Sequence, residues 1–138
     1  MTEPGTLPAP APIVSPENKP FWDGTTQGKL LLPKCQNCGS INWYPRVFCP
    51  ACHKFGVDWI EAAGTGTIYT FAITRKGVGN YGGAGTYVLA YVELDEGPRI
   101  MTNIVDVDPD SISVGDKVKV VFHDTGKGSA LPRFAPAD

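Results

Sequence analysis

Cys35, Cys38, Cys49 and Cys52 are the only cysteines in the chain, and they fall as Cys-x2-Cys, ten residues, Cys-x2-Cys. Two such pairs are the spacing of two metal knuckles. Each tight turn aims two sulfurs at one point and turns backbone N–H groups toward them. Four thiolates suit a tetrahedral Zn²⁺ and leave no coordination position open, the pattern of a structural rather than a catalytic metal. The spacer from Gly39 to Phe48 is shorter than the common template of roughly 15–20 residues, yet long enough for a β-hairpin joining the knuckles. Gly39 can take the left-handed conformation that closes the first knuckle. His53 stands at the matching place in the second and makes that knuckle less ideal. Iron in a rubredoxin-like site fits the same ligands, although no second redox centre is visible. Disulfides fit less well in a chain that shows no secretory signal. Lys34, Arg46 and Lys54 flank the knuckles and offset the local charge of roughly −2 that four thiolates carry around Zn²⁺.

With the cysteines committed to metal, no nucleophile with an adjacent base stands out. His53 and His123 are the only histidines; one abuts a knuckle and the other ends an apolar run. No phosphate-cradling Gly-x4-Gly-Lys occurs, and the glycine-rich stretch Gly77–Gly85 lacks the strand-loop-helix context of a nucleotide fingerprint. No catalytic residue is therefore assigned within the chain. Twelve Lys and Arg stand against fourteen Asp and Glu, a formal net charge of −2. That balance speaks against a nucleic-acid partner, which draws on clustered positive charge. No apolar run approaches the ~18–20 residues of a membrane span. The expected compartment is cytoplasmic, with reduced thiols.

The elements that must hold these residues are short. Among 138 residues are 16 Gly and 13 Pro, well above the usual combined share of about 12%. That excess excludes a mostly helical bundle and favours short strands and many turns. Residues 1–17 are proline-rich and read as a flexible tail, a linker or an arm lying on a partner. Residues 18–32 suit one or two helical turns, with Asn18 as cap, Pro20 in the first turn and Phe21 and Trp22 as an apolar plug. Residues 33–57 form the cysteine module, too short to bury a core of its own. Residues 58–138 carry β signals: Trp59–Ala63, Gly66–Thr74, Thr86–Leu94, Arg99–Val107 and Lys117–His123, five strands that fit a small antiparallel barrel. A single helical turn is expected at Asp108–Ile112, and a mobile loop at Lys76–Gly85.

The order of these pieces resembles a known family. Phe21-Trp-Asp-Gly, Gly28-Lys-Leu-Leu-Leu, Cys35-Gln-Asn-Cys-Gly, Tyr44-Pro-Arg-Val-Phe-Cys-Pro-Ala-Cys52, Gly64-Thr-Gly-Thr-Ile-Tyr-Thr-Phe71, Tyr91-Val-Glu-Leu-Asp-Glu-Gly97, Gly115-Asp-Lys-Val118 and Leu131-Pro-Arg-Phe134 are similar to the acyl-CoA-associated family catalogued as domain of unknown function thirty-five. The resemblance covers roughly Lys19 to Pro136. It implies a short N-terminal helix, a rubredoxin-like zinc ribbon and a C-terminal five-stranded OB-fold. It also implies a job: a non-catalytic accessory subunit of a thiolase-fold enzyme, of the thiolase or steroid side-chain aldolase type, in some cases linked to a MaoC-like hydratase. Such a subunit stabilises the complex and helps hold or pass the acyl-CoA. Arg75, Lys76 and Arg133 are the candidate cations for the CoA phosphates, with Arg46 beside the ribbon. Tyr81 and Phe134, in the Lys76–Tyr87 loop and the Leu131–Phe134 tail, are expected to face the partner. A ribbon/OB nucleic-acid-binding module and a free-standing acyl-CoA binder or thioesterase are the alternative readings.

Overall fold

The computed structural model describes residues 7–137. Helix α1 (Lys19–Thr25) has Pro20 in its first turn, as the sequence suggests. Asn18 occupies the cap position, but its side chain bonds elsewhere: Oδ1 accepts from the Ser15 amide at 2.7 Å and Nδ2 donates to the Tyr44 hydroxyl at 2.9 Å. The helix stops after two turns, and Gly28, at φ 73°, turns the chain into a strand. That strand, β1 (Leu31–Cys35), pairs antiparallel with β2 (Val57–Glu61), placing Leu32 opposite Ile60 and Cys35 opposite Val57. The run expected at Trp59–Ala63 as a barrel strand is therefore the ribbon's second strand. The ten-residue spacer also departs from expectation: it holds only isolated bridges, Lys34 to Ile41 and Phe48 to Phe55, rather than a hairpin.

The barrel is built from β3 (Thr65–Thr74), β4 (Tyr87–Leu94), β5 (Arg99–Ile104), β6 (Lys117–Asp124) and β7 (Ala130–Pro136), closed in the order β3-β4-β5-β7-β6. Alternation decides which residues face inward: Val88, Ala90, Val92 and Leu94 of β4 are buried, while Leu89, Tyr91 and Glu93 are exposed. A single 3₁₀ turn at Pro109–Ser111 stands where one helical turn was expected, its entry bonded by Asp108 accepting from the Asp110 amide. Phe21, Trp22 and Leu32 join Ile68, Val92, Ile100, Val118 and Phe134 in one continuous apolar cluster, so helix, ribbon and barrel share a core. The Phe21 ring lies 4.8 Å from both the Trp22 and the Trp43 rings, edge-on to each.

Three expectations are corrected by this packing. Leu131–Phe134 is not a tail but the middle of β7, the fifth barrel strand; Phe134 is 0% exposed and cannot meet a partner. The Lys76–Gly85 loop is folded back onto the barrel, with Ala84 buried and a 3₁₀ turn at Gly79–Tyr81. Of residues 1–17, read as a flexible tail, a linker or an arm, 1–6 lie outside the described residues, and from residue 7 the stretch lies along the protein: Glu17 accepts a hydrogen bond from the Val47 amide at 3.1 Å and approaches Arg46 at 3.6 Å.

Because Phe134 is a core residue, Phe134→Ala is expected to lower unfolding stability by about 3–5 kcal/mol, measured by chemical denaturation. A loss below about 1 kcal/mol would return this residue to the surface role the sequence suggested.

Candidate metal centre and the junction beside it

The two knuckles are near-copies in their backbone bonding. In the first, the Gly39 amide donates to the Cys35 carbonyl at 3.0 Å and the Cys35 amide to Ser40 at 2.8 Å. In the second, the His53 amide donates to Cys49 at 2.8 Å and the Cys49 amide to Lys54 at 2.9 Å. Gly39 sits at φ 76° and His53 at φ 65°. His53 thus takes the left-handed geometry that a glycine takes without strain; its ring stacks on Phe48 at 5.9 Å, the two planes nearly parallel.

All four Sγ atoms lie within 4.8 Å of one another. Cys35 to Cys52 and Cys38 to Cys49 are each 3.6 Å apart, close to the ~3.8 Å edge of a tetrahedron with Zn–S bonds of about 2.3 Å. The amides of Asn37 and Cys38 point at the Cys35 sulfur from 3.4 and 3.5 Å. The Cys38 amide and then the Asn37 amide hold the Cys35 thiol below its ordinary value. The Cys52 amide, overcoming burial and helped by the Ala51 amide, lowers Cys49 to about 6. Although the Lys54 amide lowers it, burial and hydrogen bonds from Cys35, Cys49 and Cys38 push Cys52 up to about 11. Cys52 is thus held well above Cys49, and a divalent cation would let the thiols ionise together at neutral pH.

Beside the ribbon, where it meets the barrel, lies a second concentration of chemistry. Arg133 of β7 is 1% exposed. Its Nη1 contacts His123 Nδ1 at 2.9 Å, and its Nη2 donates to the Pro8 carbonyl at 2.6 Å and to the Tyr81 hydroxyl at 3.2 Å. A guanidinium only donates, so Nδ1 accepts and the His123 proton sits on Nε2. Burial first, and then the Arg133 charge, lower the His123 pKa against the pull of Asp106. Burial likewise lowers Arg133, which stays charged across the physiological range. Among the described residues no carboxylate pairs with Arg133. A cavity of about 280 Å³ opens here, walled by Phe21, Trp22, Trp43, Tyr44, Tyr81 and Arg133 among others.

Comparison with known proteins places these features in a family. Residues 22–58 match the family profile "ChsH2, rubredoxin-like zinc ribbon domain", and residues 59–123 match "ChsH2, C-terminal OB-fold domain". The chain belongs to the DUF35 family of ChsH2-type zinc-ribbon/OB-fold proteins. A DUF35 domain-containing scaffold protein of Methanothermobacter thermautotrophicus is 38% identical over 67% of this chain and 71% of its own length. A probable enoyl-CoA hydratase alpha subunit of Thermomonospora curvata is 33% identical over 93% of this chain, which spans only 40% of that relative. Among solved structures, the "Ltp2-ChsH2(DUF35) aldolase" superposes with a TM-score of 0.83 at 32% identity, over 93% of this chain and 100% of that one. A DUF35 protein of unknown function from Sulfolobus solfataricus shares the fold, with a TM-score of 0.65 at 17% identity. The four cysteines are thus the ligands of a structural zinc, the chemistry their sulfur donors and separations already fit. None of the helices among the described residues is long and apolar enough to cross a membrane.

The remaining sequence candidates scatter. Arg75 is exposed and bonds Asp110 at 3.0 Å. Lys76 is exposed beside it. Arg46 lies over the Tyr44 ring at 5.6 Å, close to Glu17. Only Tyr81 and Arg133 are brought together, by a direct hydrogen bond, with His123 and Pro8 as further partners of Arg133 that no spacing in the sequence links to them. Trp43 and Tyr44, adjacent aromatics in the metal spacer, are the local signal that the ribbon contributes a wall.

Replacing Cys35 or Cys49 with Ser is expected to release zinc and unfold the ribbon, read by metal analysis and near-ultraviolet circular dichroism; unchanged metal content contradicts the assignment. Acid should also weaken the junction. The His123 value is depressed in the fold, so its contribution is present above the ordinary value of 6.5 and is lost as pH falls below it. Comparing thermal unfolding of the protein and of His123→Gln across that range should show a shallower acid loss in the variant.

Proposed function

We propose that the chain is a non-catalytic accessory subunit that docks on a thiolase-fold enzyme of thiolase or aldolase type, stabilises it and helps hold or pass the acyl-CoA. The observation that carries this reading is an apolar face on the outside of the barrel. Tyr91 and Met101 sit opposite each other across β4 and β5, Leu89 lies two residues along on the same face, and Met101 is 58% exposed. A shallow groove of about 190 Å³ runs between these residues and Phe71. A contiguous outward patch of this kind marks a protein contact more often than an idle surface. A second apolar spot, Phe55 at 71% exposure against Phe48, lies on the second knuckle.

The similarity to a protein solved as part of an aldolase supports the same reading. The hydratase alpha subunits among the relatives, one of them the 3-oxo-4,17-pregnadiene-20-carboxyl-CoA hydratase alpha subunit of Mycobacterium tuberculosis, support a link to a MaoC-like hydratase. The exposed cations Arg46, Arg75 and Lys76 are offered for the CoA phosphates or the partner, whereas nucleic acid and membrane are not among the partners in this reading. The complex is placed in the cytoplasm, where its thiols stay reduced.

Co-expression with a thiolase-fold enzyme encoded beside it should give one co-eluting complex whose activity depends on this chain. Leu89→Asp combined with Met101→Asp should break co-elution while zinc content stays unchanged. Separate elution of the unaltered pair, with enzyme activity indifferent to this chain, would sink the proposal.

A further inference from the structure

The junction around Arg133 is odd for a structural feature. A charge taken out of water costs several kcal/mol unless paired and hydrogen-bonded, and guanidinium groups in such places normally grip a carboxylate or phosphate through two parallel bonds. Here its three partners among the described residues are neutral: an imidazole nitrogen, a phenol and the carbonyl of Pro8. A second residue lining the same cavity carries an unsatisfied group. Trp22, 8% exposed, has its indole Nε1 buried with no acceptor, and a buried donor without a partner is rare enough to require an occupant or an explanation. Both residues line the cavity whose other walls are Phe21, Trp43 and Tyr44. The cleft of about 540 Å³ between Thr25 and Ala130 carries only Asp124 as a charge.

We infer that this cavity is an oxyanion site of the chain itself, in which a carboxylate or phosphate borne on a flat apolar body replaces the Pro8 carbonyl on the Arg133 guanidinium. The aromatic walls take the apolar body. Tyr81 orients the guanidinium through its hydroxyl. The proline-rich arm is then an internal occupant: Pro8 supplies a single neutral oxygen where an anion supplies two charged ones. Proline suits that role, because its fixed φ keeps the carbonyl in an extended segment that costs little entropy to order. This inference does not rest on the accessory role, since the isolated full chain is expected to bind.

Trp22 and Trp43 border the cavity, so tryptophan fluorescence reads occupancy. The probes are 1-naphthoate, its neutral counterpart 1-naphthalenemethanol, and inorganic phosphate. Naphthoate should bind at least about tenfold more tightly than the alcohol, the scale of a hydrogen bond to a charged group. Phosphate should bind more weakly than naphthoate because it leaves the apolar walls unfilled. Arg133→Gln should abolish the preference for naphthoate over the alcohol. Deleting residues 2–9 should tighten naphthoate binding by removing the competitor, and this arm keeps the test decisive if the Arg133 variant does not fold. Equal binding of acid and alcohol, phosphate binding as tight as naphthoate, or a deletion that leaves affinity unchanged or weaker would each overturn the inference.

Discussion

Convergence of four sulfurs on one point is the constraint on which the rest of the chain depends. The ribbon has little else to hold it. Phe48 and Phe55 of the second knuckle face outward rather than into a core, and the spacer between the knuckles contributes only isolated bridges. A two-stranded sheet alone is marginal in water. Once the knuckles close, β1 and β2 are aligned, Leu32 is carried into the shared core, and Trp43 is set against Phe21. His53 shows how strongly the metal geometry imposes itself. A residue with a side chain accepts a left-handed backbone so that its amide can reach the Cys49 carbonyl.

Helix α1 transmits this order to the barrel. It is too short to be stable alone and forms because its buried side, Phe21, Trp22, Gly24 and Thr25, packs against the rest of the fold. Phe21 and Trp22 fill the space between ribbon and barrel, and the Thr25 hydroxyl accepts from the Ala130 amide at 3.0 Å, at the start of β7. Strand β7 then closes the barrel and buries Arg133 against His123 and Tyr81. Ribbon, helix, loop and final strand therefore meet at one place, and the arm at Pro8 is its cover.

The sequence made the metal centre legible because cysteine spacing is local. The strands β3, β4, β5 and β6 were legible because alternation is local too, and the family resemblance supplied their order. What escaped was set by topology. Ala130–Pro136 contains Pro132 and Pro136, which demote a strand on propensity. They are tolerated because β7 pairs with β5 only at Ile104 and Phe134, leaving few ladder bonds to lose on that side. Trp59–Ala63 has the composition of a barrel strand, and only the need of β1 for a partner assigns it to the ribbon. Arg133 reads as a surface cation by type, and nothing near it in sequence announces Pro8, Tyr81 and His123 as its surroundings.

Amide hydrogen exchange with and without a zinc chelator tests the central claim most directly, because it reads each element separately. If the metal is the keystone of the ribbon, chelation should strip protection from β1, β2 and the Trp43–Tyr44 segment and loosen α1, while β3 to β6 stay slow to exchange. Protection of β1 and β2 that survives full removal of zinc would contradict the account.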